Sequence, residues 1–161
     1  MKKLFSFLCL ALIMVLSSCS NEQKILGTWV ADLNMDKVAE FLEEDVDNLD
    51  KASGKITATF EKDGTAEQKI EITATMNGER HKISMKMKGK YTIDGQSIKY
   101  SDVSLKSFKI DSNDMLVMMD EDQLSQFEDE ITDSIDTIKK LTSNTLELLD
   151  DDGETFVYTK Q

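Results

Sequence analysis

The sequence predicts a mainly β domain, an antiparallel up-and-down barrel of about eight strands with two amphipathic helices. Three observations predict it. Apolar residues recur at every second position along most of the chain after Gly27, Asp-Gly and Asn-Gly dipeptides break the alternating runs, and two segments change to helical spacing.

The first strand opens at Ile25-Leu26-Gly27-Thr28-Trp29-Val30. Behind it, residues 34–50 carry Val38, Phe41, Leu42, Val46 and Leu49 at helical spacing, with Asn34 or Asp36 as N-cap, so a helix is expected there. Ile56, Ala58 and Phe60 then alternate with Thr57, Thr59 and Glu61 up to Asp63-Gly64. Ile70, Ile72, Ala74 and Met76 share one parity up to Asn77-Gly78, and Ile83, Met85, Met87, Tyr91 and Ile93 share one up to Asp94-Gly95. These dipeptides supply the positive φ angles that tight hairpins need.

The next run slips parity twice, from Ile98 and Tyr100 to Val103 and Leu105 and back to Phe108 and Ile110. Such slips predict a bulge or bend. A short apolar run at 115–119 follows. Residues 120–140 place Leu124, Phe127, Ile131, Ile135 and Ile138 on one helical stripe, with acids early and Lys139-Lys140 last, which predicts a second helix. Leu146/Leu148 and Phe156/Tyr158 form a last hairpin around Asp150-Asp151-Asp152-Gly153. Each helical stripe needs an apolar surface to cover, and the barrel or its open end is the one available.

Ahead of the domain stand Lys2 and Lys3, an apolar run from Leu4 to Leu16, and the small residues Ser17 and Ser18. This is the architecture of a secretion signal, and roughly 13 apolar positions are too few to span about 30 Å of hydrocarbon. Leu16-Ser17-Ser18-Cys19 resembles the lipobox of bacterial lipoproteins. The resemblance implies a signal peptide over residues 1–18, cleavage before Cys19 and acylation of Cys19 by diacylglyceryl and a further fatty acid such as palmitate. Residues 19–24 then form a lipidated tether, and residues 25–161 form the barrel domain. Ser20 is not the aspartate that holds lipoproteins in the inner membrane, so the resemblance implies the outer membrane. With Glu22 the only acid beside Cys19, the domain is expected to face the periplasm.

Of the two cysteines, Cys9 lies in the signal and Cys19 at the anchor, leaving the domain no disulfide, thiol nucleophile or thiolate ligand. The formal charge of the whole chain is −12; without Lys2 and Lys3 it becomes −14. That acidity excludes nucleic acid as a natural partner and disfavours lying flat on anionic lipid. It also keeps an exported protein soluble.

The Gly27-Thr28-Trp29 opening is similar to the Gly-x-Trp start of the lipocalin superfamily. Together with Phe60-Glu61-Lys62-Asp63-Gly64-Thr65, Gly89-Lys90-Tyr91-Thr92-Ile93-Asp94-Gly95 and the closing Leu146-Glu147-Leu148 hairpin, it resembles the lipocalin-like lipoproteins of Gram-negative bacteria over about residues 25–161. The resemblance implies an eight-stranded barrel closed at one end near Trp29, with Gly27 and Trp29 in structural roles. The chain departs from the pattern in having no disulfide, no Thr-Asp-Tyr motif and no C-terminal arginine to stack on Trp29, its only arginine being Arg80. A helix also replaces the long loop expected after the first strand.

No residue pattern points to an enzyme, a metal or a cofactor. The only histidine, His81, follows a hairpin turn among Glu79, Arg80 and Lys82, without a nucleophile to serve. Carboxylate pairs are uninformative among 31 acids. A calcium loop starting at Asp150 would put Thr155 where glycine is needed and Gln161 where a bidentate glutamate belongs.

An eight-stranded barrel either fills with its own side chains or holds one small ligand, and the sequence leaves both open. If it holds a ligand, that ligand is small and apolar, and the expected lining is Phe60, Ile72, Met85, Met87 and Tyr91, the methionines supplying an adaptable wall. If it is filled, the acidic face of residues 120–136 is the expected contact for a basic protein partner in the cell envelope.

Overall fold

The computed structural model describes residues 21–42, 45–111 and 134–161. Its strands are β1 (Gly27–Leu33), β2 (Lys51–Phe60), β3 (Thr65–Met76), β4 (Glu79–Asp94), β5 (Ser97–Asp111), β6 (Ile135–Leu141), β7 (Thr145–Leu149) and β8 (Thr155–Lys160). They form one closed barrel in chain order, every neighbouring pair antiparallel. β8 returns to β1 through Trp29↔Lys160 and Val30↔Thr159, which closes the ring of strands. The expected eight-stranded up-and-down barrel is therefore the fold.

Inward and outward positions follow the alternation in the sequence. Trp29, Ala31 and Leu33 on β1, Ile56, Ala58 and Phe60 on β2, and Ile70, Ile72 and Ala74 on β3 are buried. Met85, Met87, Ile98, Ile138, Leu146, Leu148 and Tyr158 complete the ring. Burying these side chains supplies most of the stability of a domain that has no disulfide.

The turns behave as expected. Asn77 and Gly78 both take positive φ, 54° and 80°, in the two-residue connection between β3 and β4. Asp63 accepts a hydrogen bond from Thr65 N at 2.9 Å in the turn before β3. The parity slips on β5 are two register shifts against β4. One lies at the step from Lys86 to Met87 and the other between Lys88 and Lys90. Lys106 and Asp102 are the positions where the slips occur, and Asp102 has φ 52°.

Two helical expectations need correction. Residues 34–50 are not one helix. α1 (Met35–Phe41) is followed by a short 3₁₀ turn at Val46–Asn48. Asn34 is the N-cap, its Oδ1 accepting from Lys37 N at 3.0 Å. The helix has an acid, Asp36, in its first turn and no base in its last. Val38 and Ala39 are buried, as a covering helix requires.

The second expected helix, 120–140, ends in strand rather than helix. Residues 135–141 are β6, bridging β5 and β7. The β-branched Ile135, Thr137 and Ile138 suit a strand, and closure of the barrel demands one there. Residues 112–133, including the 115–119 run and most of the acidic face, lie outside the described residues. So do Leu16, Ser17, Ser18 and Cys19.

Candidate functional site

One end of the barrel, its base, is closed by a plug built on Trp29. Residues 21–25 are helical and bring Ile25 under the barrel, where Ile25 O accepts from Trp29 Nε1 at 2.6 Å. Trp29 and Ile25 are both fully buried. Lys160 Nζ stands 4.8 Å from the Trp29 ring centroid and donates to Lys24 O at 3.1 Å. Gly27 has φ 111°, so the turn into β1 requires glycine, and a Cβ there would lie 3.2 Å from Lys160 Cε.

Above the plug, the interior is interrupted by a polar belt. Tyr100 Oη on β5 donates to Asp136 Oδ2 on β6 at 2.9 Å. Tyr158 on β8 is hydrogen-bonded to the side chain of Gln68 on β3. Burial pushes the Asp136 carboxyl up to about 6, the Tyr100 bond holding it down in part while Asp150 and Asp151 push it further up. Burial raises both tyrosines as well, Tyr100 well above its ordinary value, with the Asp136 charge adding to each. Both phenols therefore stay protonated throughout the physiological range.

Two spaces meet at this belt, sharing Gln68, Asp136, Leu148 and Tyr158 in their walls. The smaller, about 140 Å³, lies toward the base against Phe60, Met87, Gly89 and Val103. The larger, about 460 Å³, lies toward the mouth. Its wall is apolar, with Leu33, Ile56, Ile70, Leu148 and Phe156, and its rim carries Lys37, Asp150, Asp152 and Glu154. Lys37 forms an ion pair with Glu154 and lies 5.5 Å from the centroid of the Phe156 ring. Burial and the neighbouring Asp151 charge also raise Asp150. Among the described residues, no group of three or more acids, histidines or cysteines is placed to hold a metal ion.

The five expected lining residues divide. Phe60 and Met87 line the smaller cavity. Ile72 and Met85, each 2% exposed, are packed core and border neither space. Tyr91 sits at the base, its ring edge-on to Phe60 with 5.1 Å between centroids and its hydroxyl donating to Glu61 O at 3.0 Å. His81 lies on β4 opposite Ala74.

Sequence reasoning missed the polar belt. Gln68 was visible as a polar residue on the apolar parity of Ile70 and Ile72. Asp136 was hidden by the helical reading of residues 120–140. Compared with protein-family models and with curated proteins, the chain matches none.

Proposed function

We propose that this is a lipid-anchored lipoprotein of the cell envelope, lipocalin-like and non-enzymatic, whose barrel holds a small apolar ligand at its mouth. Cys19 carries the acyl anchor, and the outer membrane is its site, with the domain facing the periplasm. The observation that carries the binding reading is the cavity of about 460 Å³ walled by Leu33, Ile56, Ile70, Leu148 and Phe156. Small-molecule sites span about 300–1,000 Å³ and combine apolar walls with a few placed polar groups. Gln68, Asp136 and Tyr158 are such groups here. The lining expected from sequence moves accordingly toward the mouth.

Every strand of the closed barrel lies within residues 27–160, so the segment 20–161 contains the whole fold. Native mass spectrometry on that segment, purified from cells without the anchor, tests the reading. A reproducible small-molecule adduct supports it; a bare mass, repeated after incubation with lipid extract, overturns it. The anchor is tested separately by Cys19→Ser, which is expected to abolish acylation and leave the signal uncut.

A further inference from the structure

Lipid-like ligands come with anionic, neutral or cationic head groups, and the mouth cavity is not neutral toward them. Four carboxylates line it, Asp136, Asp150, Asp152 and Glu154, against one ammonium, that of Lys37. Glu154 already takes Lys37 as its partner, and among the described residues no second base lines the space. Asp136 is set deepest, on the belt that divides the barrel. A carboxylate offers about four acceptor positions, and the Tyr100 hydroxyl supplies a single hydrogen to it. Withdrawing a carboxylate from water is costly unless a counter-charge or several hydrogen bonds replace the lost solvation. Burial, with the charges of Asp150 and Asp151, holds the Asp136 carboxyl above its ordinary value.

We propose that the mouth cavity selects amphiphiles with a cationic head, an alkyl amine or guanidine whose apolar body lies along Leu33, Ile56, Ile70 and Phe156 and whose charge meets the Asp136 carboxylate. The inference rests on the reading that the barrel binds a small apolar ligand, and names the class. A carboxylate head would face like charge from Asp136 and from the rim. A neutral alcohol would bury its chain equally well but leave Asp136 without a counter-charge. An ammonium supplies both a charge and three donors, and charge-assisted hydrogen bonds are roughly twice as strong as neutral ones.

The test is a matched series of decylamine, decanol and decanoate, each below its micelle concentration, titrated calorimetrically into residues 20–161 at about pH 7.5. Decylamine is expected to bind about tenfold tighter than decanoate, with decanol between them. Asp136→Asn should weaken decylamine about tenfold while leaving decanol within about twofold; Tyr100→Phe, which keeps the carboxylate, should retain the amine preference. Should Asp136→Asn not fold, the rim variant Asp150→Asn/Asp152→Asn decides, with an expected loss of about two- to threefold for decylamine alone. Decanoate binding the parent protein as tightly as decylamine, or decylamine affinity unchanged by Asp136→Asn or, where that variant does not fold, by the rim variant, overturns the inference while the ligand-binding reading stands. Absence of binding by all three overturns both.

Discussion

Lys160, the penultimate residue, holds its ammonium 4.8 Å from the ring centroid of Trp29 and binds the Lys24 carbonyl at 3.1 Å. Its backbone faces Trp29 across the β1–β8 seam. One side chain thus joins the end of the last strand to the segment that leads into the first. It provides the cation over the tryptophan ring for which the sequence offered no C-terminal arginine.

That arrangement ranks three variants. Trp29→Ala removes the plug from a fully buried site and is expected to cost about 3–5 kcal/mol. Lys160→Met keeps the aliphatic stem but loses the cation–π contact and the carbonyl bond, at about 1–2 kcal/mol. Lys160→Arg, retaining the charge, should stay within about 0.5 kcal/mol of the parent. Urea unfolding followed by Trp29 fluorescence measures the Lys160 variants, and circular dichroism measures Trp29→Ala. Equal stability for Lys160→Met and the parent would show that the contact is incidental.

Asp136 makes stability depend on pH with a definite sign. Its carboxyl is raised from 3.8 to about 6 in the folded barrel, mainly by burial. Between those values the native state binds a proton that the unfolded chain has released, so stability falls as pH rises through that window. Asp136→Asn removes this contribution. It is expected to be more stable than the parent by about 2 kcal/mol near pH 8 and to lose that advantage near pH 4. Tyr100→Phe should raise the Asp136 pKa further, since the Tyr100 bond is what lowers it. Thermal melts across pH for all three proteins check both signs.

The β barrel was legible because its signals are local. Asn77-Gly78 dictates a tight turn, and Ile56, Ala58 and Phe60 can share a face only in a strand. Even the slips between Tyr100 and Val103 and between Leu105 and Phe108 mapped onto real register shifts. β6 was not legible, because Ile135 and Ile138 fit a helical stripe as well as a strand, and what decides between them is the need to bridge β5 and β7. The site suffered from the same ambiguity. Once 135–141 reads as a strand, Asp136 and Ile138 fall on one face, and the interior acid becomes visible. Phe60 and Met87 border a cavity while Ile72 and Met85 are packed, and apolar parity alone cannot distinguish the two kinds of position.

The shift between Lys88 and Lys90 depends on Gly89. A Cβ on Gly89 would come within 2.9 Å of Val103 Cγ2 and 3.0 Å of Ser101 O. Gly89→Ala is expected to destabilise by about 1–3 kcal/mol, since the backbone oxygen cannot yield as a side chain can. Adding Val103→Ala should relieve only the methyl clash and recover a fraction of that loss. Chemical denaturation of the single and double variants separates the two contacts, and full recovery in the double variant would exclude any contribution from Ser101.

Ile70 offers a way to occupy the mouth cavity without touching its charges. It is 6% exposed and forms part of the apolar wall. In a tightly packed interior, replacement by phenylalanine would cost about 1–3 kcal/mol through overpacking. Here the larger ring has an adjoining space of about 460 Å³ to enter, so Ile70→Phe should fold with little or no loss of stability. Uptake of decanol should fall about tenfold, because the ring and the alkyl chain compete for one volume. Ile72→Phe is the contrasting variant, because Ile72 borders neither cavity and a larger side chain there has only packed neighbours to displace. It should lose stability. Melting temperatures and calorimetric titration of both variants distinguish a hollow mouth from a filled one, and unchanged uptake by a folded Ile70→Phe protein would place the bound alcohol outside the barrel.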